Sequence, residues 1–287
     1  MYAITGITGQ VGSAVANALL AQGQQVRAVV RNPEKAEAWR ARGCDIAVAD
    51  INDTAALVEA FTGVDGVFVL VPPVFDPAPG FPEGKSTLAS LHDALLAARP
   101  PRVVCLSTIG AQATQPNLLN LLGLMETRFE DLPSPTTFLR AGWFMENALW
   151  DLAAARDEGV LRSFLQPLDA TFPMVATQDI GTLAAQLLQQ TWSGTRVVEL
   201  EGPVRISPNA LAAAFAHALS HPVNAEVVPR ESWLALFNQQ GMNNPTPRMQ
   251  MLDGFNEGWI RFSASDALVQ KGTTSLATVI AQWTAQR

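Results

Sequence analysis

ITGITGQVG, residues 4–12, decides the fold. Gly6, Gly9 and Gly12 fall in the spacing GxxGxxG, directly behind a short β-branched run at 2–5. Directly ahead lies an amphipathic stretch at 10–22, with apolar residues at Val11, Val15, Ala18 and Leu19. The order is strand, turn, helix. In such a turn Gly6 allows the tight bend, Gly9 lets backbone approach a pyrophosphate with no Cβ in the way, and Gly12 lets the helix pack closely on the sheet. The first helical turn then offers unpaired N–H groups to an anion. A plain tight turn would also use three glycines; the helix behind them and a second strand at 25–30 favour the phosphate loop.

The same rhythm continues to about Arg140. Further strands are expected at 45–48, 66–71, 102–107 and 136–140, with helices between them, for instance at 54–61 with Thr54 as N-cap. Right-handed crossovers wind such a chain into an α/β, doubly wound parallel Rossmann sheet with helices on both faces. We assign 1–150 to this nucleotide-binding domain. Residues 151–287 read as a smaller, mostly helical substrate region, with helices at 178–190, 208–219 and 230–240. Some segments, such as 171–180, are free to return to the sheet. Residues 74–84, with Pro77, Pro79 and Pro82, form a loop after the fourth strand, bordering the crevice where open sheets bind ligands.

Composition narrows the function. The chain has 287 residues, 48% of them apolar and 16% charged, enough to bury a large core. Nineteen basic residues against 26 acidic ones give a formal charge of -7 with no basic run, which argues against nucleic acid as a partner. Every apolar stretch is interrupted well short of the ~20 residues that span a bilayer, so no membrane is expected. No secretion signal is read at the start, and Cys44 and Cys105 fit a reducing cytoplasm without a disulfide.

The end of the second strand selects the dinucleotide. A free ribose 2'-hydroxyl is usually held by an acidic residue about 20 residues past the glycines, whereas a 2'-phosphate needs a cation. Here stand Arg31, Asn32, Pro33 and then Lys35. A guanidinium can fork onto phosphate and Lys35 adds a point charge, so the expected cofactor is NADP, as NADPH. Surface cations at a helix start are the plain alternative. Asp50, followed by Ile51 at the tip of the third strand, can meet an adenine amino group or cap the next helix. Val71, Pro72 and Pro73 end the fourth strand as a stiff wall beside a ribose. Ser107 and Thr108 end the fifth, at the height of a nicotinamide.

Other constellations carry less. His217 and His221, four apart on one helix, are read as a helix C-terminus rather than as metal ligands, and no metal is expected. Glu126, Glu130 and Asp131 around Arg128 read as a solvated face, with a minor role for Glu126 near the nicotinamide. Most of the seven Trp should pack in the core.

Taken together, ITGITGQVG, VVRNPEKA at 29–36, VADINDTAAL at 48–57 and LRAGWFMEN at 139–147 resemble the NmrA-like branch of atypical short-chain dehydrogenases. Bacterial members are similar to NADPH-dependent quinone and dye reductases. The resemblance implies that Thr8, Gly9, Gln10 and Val11 contact the phosphates and Arg31 the 2'-phosphate. It also implies that Gly142, Trp143, Phe144 and Asn147 lie along the nicotinamide or substrate crevice. The stretch PTPRMQMLDGFNEGWIRF at 245–262 looks like a family trait with no chemical job attached. Many relatives carry a Lys or His one turn before the Glu that matches Glu126, and Leu122 stands there instead.

A standard short-chain dehydrogenase protonates its product through a Tyr assisted by a Lys four residues later. This chain holds one tyrosine, Tyr2, followed by Ala3–Gly6, so no such pair exists. The expectation is hydride transfer from NADPH to a planar apolar acceptor, such as a quinone, whose reduced form takes its proton from water. Phe75, Phe81, Trp143, Phe144 and Asn147 are the expected acceptor lining. No catalytic residue is assigned. The alternative is a non-catalytic NADP(H) sensor acting through a protein partner, and a homodimer stays open as well.

Overall fold

Among residues 1–284, which the computed structural model describes, eight parallel strands form one sheet. Its first six strands are β1 (Tyr2–Ile4), β2 (Val26–Val30), β3 (Asp45–Val48), β4 (Gly66–Val69), β5 (Val103–Thr108) and β6 (Thr136–Ala141). Between them run α1 (Gln10–Ala21), α2 (Glu37–Arg40), α3 (Thr54–Phe61), α4 (Pro82–Ala98) and α5 (Asn120–Phe129). The rest of the chain adds β7 (Trp143–Phe144), α6 (Leu152–Glu158), β8 (Val160–Ser163), β9 (Met174–Val175), α7 (Thr177–Gln189) and β10 (Thr195–Glu201). Then follow α8 (Pro208–Leu219), β11 (Asn224–Val227), α9 (Trp233–Gln239), α10 (Thr246–Asn256), β12 (Gln270–Lys271) and α11 (Leu276–Thr284).

The strand order is β12-β10-β6-β5-β4-β1-β2-β3, a doubly wound Rossmann sheet. Alternate side chains on each strand feed two cores. On one face Ile4, Ala28, Val104 and Leu139 meet α1 and α7 through Val15, Leu19, Ile180 and Leu188. On the other, Val67, Val69, Val103 and Cys105 meet α3, α4 and α5 through Phe61, Leu91, Leu95 and Phe129. A third cluster, around Phe215, Trp233, Phe237 and Phe255, lies beyond the sheet. No helix among the described residues is long and apolar enough to cross a membrane.

Several boundaries differ from expectation for physical reasons. Asp53, not Thr54, caps α3: its carboxylate accepts from Ala56 N at 3.1 Å, and an anion suits a helix N-terminus. The loop after β4 ends at Phe81, because Pro82 opens α4 at a position that needs no N–H. Gly80 and Phe81, both with positive φ, turn the chain into that helix. Residues 171–180 do not rejoin the large sheet; Met174–Val175 pairs with Trp143–Phe144 instead. Thr195–Glu201 does join it, beside β6, and Gln270–Lys271 follows. Two buried glutamates, Glu199 and Glu201, break the apolar signature of that strand. Ser220 ends α8 with positive φ, so His221 lies beyond the helix and shares no helical face with His217. Of the tryptophans, Trp39 and Trp233 are buried, four are half-buried against the cores, and Trp150 is exposed.

Candidate active site

Strand β1 pairs with β2 on one side and β4 on the other, so connections leave its end in opposite directions and open a crevice. Thr5 fixes the floor. Its hydroxyl accepts from Leu70 N at 2.8 Å and donates to Phe68 O at 3.2 Å, stapling the end of β1 to β4. Gly6 then takes a left-handed turn (φ 64°) tight against the Leu70 side chain. Gly9 is the N-cap of α1, and its N–H donates to Gly6 O at 2.9 Å. The helix opens with no side-chain cap and no acidic residue in its first turn. That arrangement suits an anion at its amides. Thr8, Gly9 and Gln10 are exposed there, with Val11 and Gly12 buried behind them.

Gly12 works differently from the expected packing on the sheet. A Cβ at Gly12 would stand 2.2 Å from Gly6 O and 2.8 Å from Ile7 N, so the close approach is to the backbone of the loop itself. Gly12→Ala is expected to displace the loop, destabilising the fold by about 1–3 kcal/mol and weakening nucleotide binding. Urea denaturation with a nucleotide titration checks this; unchanged values of both would show that the loop tolerates a methyl group.

Register places the end of β2 beside this loop, Ala28 lying opposite Ile4. Arg31, the next residue after the strand, is exposed and joins no ion pair among the described residues. Asn32 accepts from Glu34 N at 2.9 Å and opens a 3-10 turn, Pro33–Ala36, that carries exposed Lys35. Asp50 does not cap α3; its carboxylate accepts from Asn52 N at 2.9 Å in a local turn. It stays exposed at the tip of β3, with Ile51 half-buried beside it.

Val71 is half-buried and Pro72 exposed beyond β4. Ser107 is 2% exposed, and its hydroxyl donates to Glu126 at 2.5 Å rather than facing the crevice. Glu126 is therefore not part of a solvated face. Register sets Ser107 opposite Arg140 and Arg140 opposite Glu199, a row across β5, β6 and β10. Arg140 forks onto Glu126 (Nε to Oε1 2.9 Å, Nη2 to Oε2 2.6 Å) and reaches Glu199 at 3.3 Å. Burial by itself would lower the Arg140 pKa; the two carboxylates raise it instead. Burial likewise works against ionised Glu199, but N–H groups of Ser263 and Ala264, the Ser263 hydroxyl and Arg140 hold it below the usual carboxylate range. A charged residue in an apolar strand needs a partner, and that was the signal in the sequence for this network.

Past β6, Gly142 passes so close to Pro173 O that a Cβ would sit 2.7 Å away. The side chains of β7 diverge: Phe144 packs with the α1 and α7 cluster, and Trp143 with the third cluster. Trp143 meets Phe255 edge-on at 5.2 Å. Asn147 is half-buried in the 3-10 segment Met145–Asp151. Phe75 is 48% exposed and meets Trp150, 62% exposed, edge-on at 5.9 Å. Phe81 packs against the α3 to α5 cluster, so the expected acceptor lining is not one continuous wall.

Two carboxyls follow Trp143. Burial pushes Glu146 up, against hydrogen bonds from Thr177 N and its hydroxyl at 2.8 and 2.7 Å. Burial also pushes Asp151 up to about 6. A carboxyl raised on folding stabilises the protein fully below its ordinary value of 3.8, and that contribution is lost as pH rises through about 6. Asp151→Asn should therefore match the parent protein near pH 4 and be the more stable of the two at pH 8. Urea midpoints at both pH values decide it; an equal difference at both would refute the burial.

Helix α10 is tied to the loops after β4 and β5, a link that residues 245–262 did not reveal in sequence. Just before it, Asp76 of the β4 loop accepts from Asn243 N (2.8 Å), Asn243 Nδ2 (3.0 Å) and Asn244 N (2.7 Å). The backbone N–H groups of Asn243 and Asn244 hold the Asp76 carboxyl below its ordinary range. Asn244 Nδ2 donates to Pro77 O at 2.8 Å, and Leu118 N, on the loop after β5, donates to Pro247 O at 2.9 Å. The other end of α10 holds Phe255 against Trp143.

A family model described as the NmrA-like family matches residues 2–259. The chain belongs to that family. It is 29% identical over 244 residues to the NAD(P)H azoreductase of Xenophilus azovorans, covering 84% of this chain and 82% of that one. It is 27% identical to quinone oxidoreductase 2 of Escherichia coli K12, with the same shares covered. Among solved structures, the NADPH-dependent quinone oxidoreductase of Escherichia coli complexed with NADPH superposes with a TM-score of 0.80 at 26% identity. That likeness spans 100% of this chain and 99% of the other.

Proposed function

We propose that this NmrA-like chain is an NADPH-dependent oxidoreductase that delivers hydride to a planar, largely apolar acceptor such as a quinone. The observation that carries the reading is the pairing of two adjacent strand ends. An uncapped helix start at Gly9–Gly12 stands beside Arg31, which has no carboxylate partner among the described residues. Both suit a dinucleotide bearing a 2'-phosphate. Family membership and the reductases it resembles support the same reading.

When bound, NADPH supplies the hydride. The chain's own residues orient the ligands and exclude water. The amides of Gln10, Val11 and Gly12 would hold the diphosphate, Arg31 and Lys35 the 2'-phosphate, and Asp50 and Ile51 the adenine edge. Val71 and Pro72 would flank a ribose. Trp143, backed by Phe255, would offer the acceptor an aromatic edge, and Phe75 with Trp150 would guard the mouth. Residues 151–287 would contribute Phe255 to this acceptor side. Tyr2 lies buried at the start of β1, the opposite end of the sheet from Gly6, so the product's proton comes from water.

NADPH oxidation with a panel of quinones tests this, measured against a flavin-free control. Turnover with at least one quinone is expected. NADPH that binds tightly yet is never oxidised by any quinone, dye or enone would overturn the reading.

A further inference from the structure

We propose that Arg248 binds an anionic group on the acceptor, a carboxylate, sulfonate or phosphate, so that the preferred substrates are planar molecules with an acidic substituent. This rests on the reductase reading above and narrows its substrate class. Among the described residues, Arg248 is the one arginine that is neither exposed nor bonded to an oxygen. Its guanidinium lies over the Phe237 ring at 4.7 Å, and its sole polar contact among the described residues is Nη1 to Met242 Sδ at 3.8 Å. Burial lowers its pKa, with no carboxylate to oppose the effect. Other half-buried arginines of the chain are matched: Arg230 forks onto Asp253, Arg205 meets Glu201, and Arg196 meets Thr137 and Gln190. A desolvated guanidinium with four of its five donors unspent calls for an acceptor of hydrogen bonds from outside the chain.

Its place in the fold says what that partner is. Arg248 stands in the first turn of α10, where the helix dipole disfavours a cation, so helix stability does not account for it. The preceding Asn243–Asn244 segment is clamped to the loop after β4, and Pro247 to the loop after β5. The start of α10, which carries Arg248, is thus held against the two loops that follow β4 and β5. Leu252 and Phe255 follow it at helical spacing on one stripe, and Phe255 meets Trp143. Seven residues of helix separate the two ends by about 10 Å, a span that fits a fused or linked pair of aromatic rings. Asp76, the nearby carboxylate of the clamp, spends its oxygens on three N–H donors of Asn243 and Asn244.

Naphthalene-2-sulfonate and its neutral isostere naphthalene-2-sulfonamide provide the test, their Kd values measured calorimetrically in the presence of NADP. The wild-type chain is expected to favour the sulfonate about 10- to 100-fold. Arg248→Met should bring that ratio close to one, and Arg248→Lys, which keeps the charge without the fork, should preserve part of it. A wild type with no preference or no binding of either ligand would overturn the assignment, as would a ratio unchanged in Arg248→Met. A lowered melting temperature of Arg248→Met leaves the Lys variant to decide. Wild-type NADPH oxidation by 1,4-naphthoquinone reports separately on the reductase reading: a sulfonate preference without that turnover would sink the reaction and keep the anion site.

Discussion

Arg31→Ala is expected to weaken NADPH binding by about 10- to 100-fold while leaving NADH binding within about a factor of two. The asymmetry follows from position. Arg31 stands one residue past the end of β2, beside the Gly6–Gly12 loop, without an ion-pair partner of its own among the described residues. Removing it therefore costs the free protein little, and the loss appears when a 2'-phosphate must be held. Lys35 sits on the next turn and would retain part of the attraction, which is why the expected loss is not larger. Fluorescence titrations of both nucleotides against parent and variant measure it. Equal losses for NADPH and NADH would place Arg31 away from the 2'-phosphate.

Glu126→Ala should destabilise the fold by about 3–5 kcal/mol, because it strips a buried guanidinium of its bidentate partner. Arg140 would retain Glu199 at 3.3 Å and the Ser263 hydroxyl at 3.0 Å, neither of which replaces a fork. The Ser107 hydroxyl would also lose its acceptor inside a 2% exposed site. Glu126→Gln keeps the shape and one acceptor oxygen, so a smaller loss is expected, which separates charge from packing. Urea unfolding read by tryptophan fluorescence provides both numbers. A loss under about 1 kcal/mol for the alanine variant would mean that water reaches Arg140 and shares its charge.

The part of the site that was legible in sequence is the part built from contiguous chain. Residues 2–31 hold a strand, a glycine turn, a helix, a second strand and a cation, and each could be placed from its neighbours. The acceptor side was less legible. Phe75, Phe81, Trp143 and Phe144 share an aromatic character that marks them as apolar surface, but whether each faces a ligand or a core depends on what packs behind it. Phe81 and Phe144 went to cores, whereas Trp150, seen only as one of several tryptophans, came to meet Phe75. Glu126 misled for a related reason. In sequence it stands close to Arg128, Glu130 and Asp131, yet its partners come from β5 and β6.

By itself the sequence determined the doubly wound sheet, the glycine turn behind β1 and the cationic end of β2. These are legible from hydrophobic period, glycine geometry and charge within a few tens of residues, although contacts such as Thr5 to Leu70 complete them from more distant chain. Tertiary structure alone decided that Glu126, Arg140 and Glu199 share one buried site, and that the start of α10, which carries Arg248, is clamped to the loops after β4 and β5. Electrostatic consequences depend on burial and on partners 14 to 59 residues apart along the chain in the first case and well over a hundred in the second. A charge has no defined role until the fold has set what surrounds it.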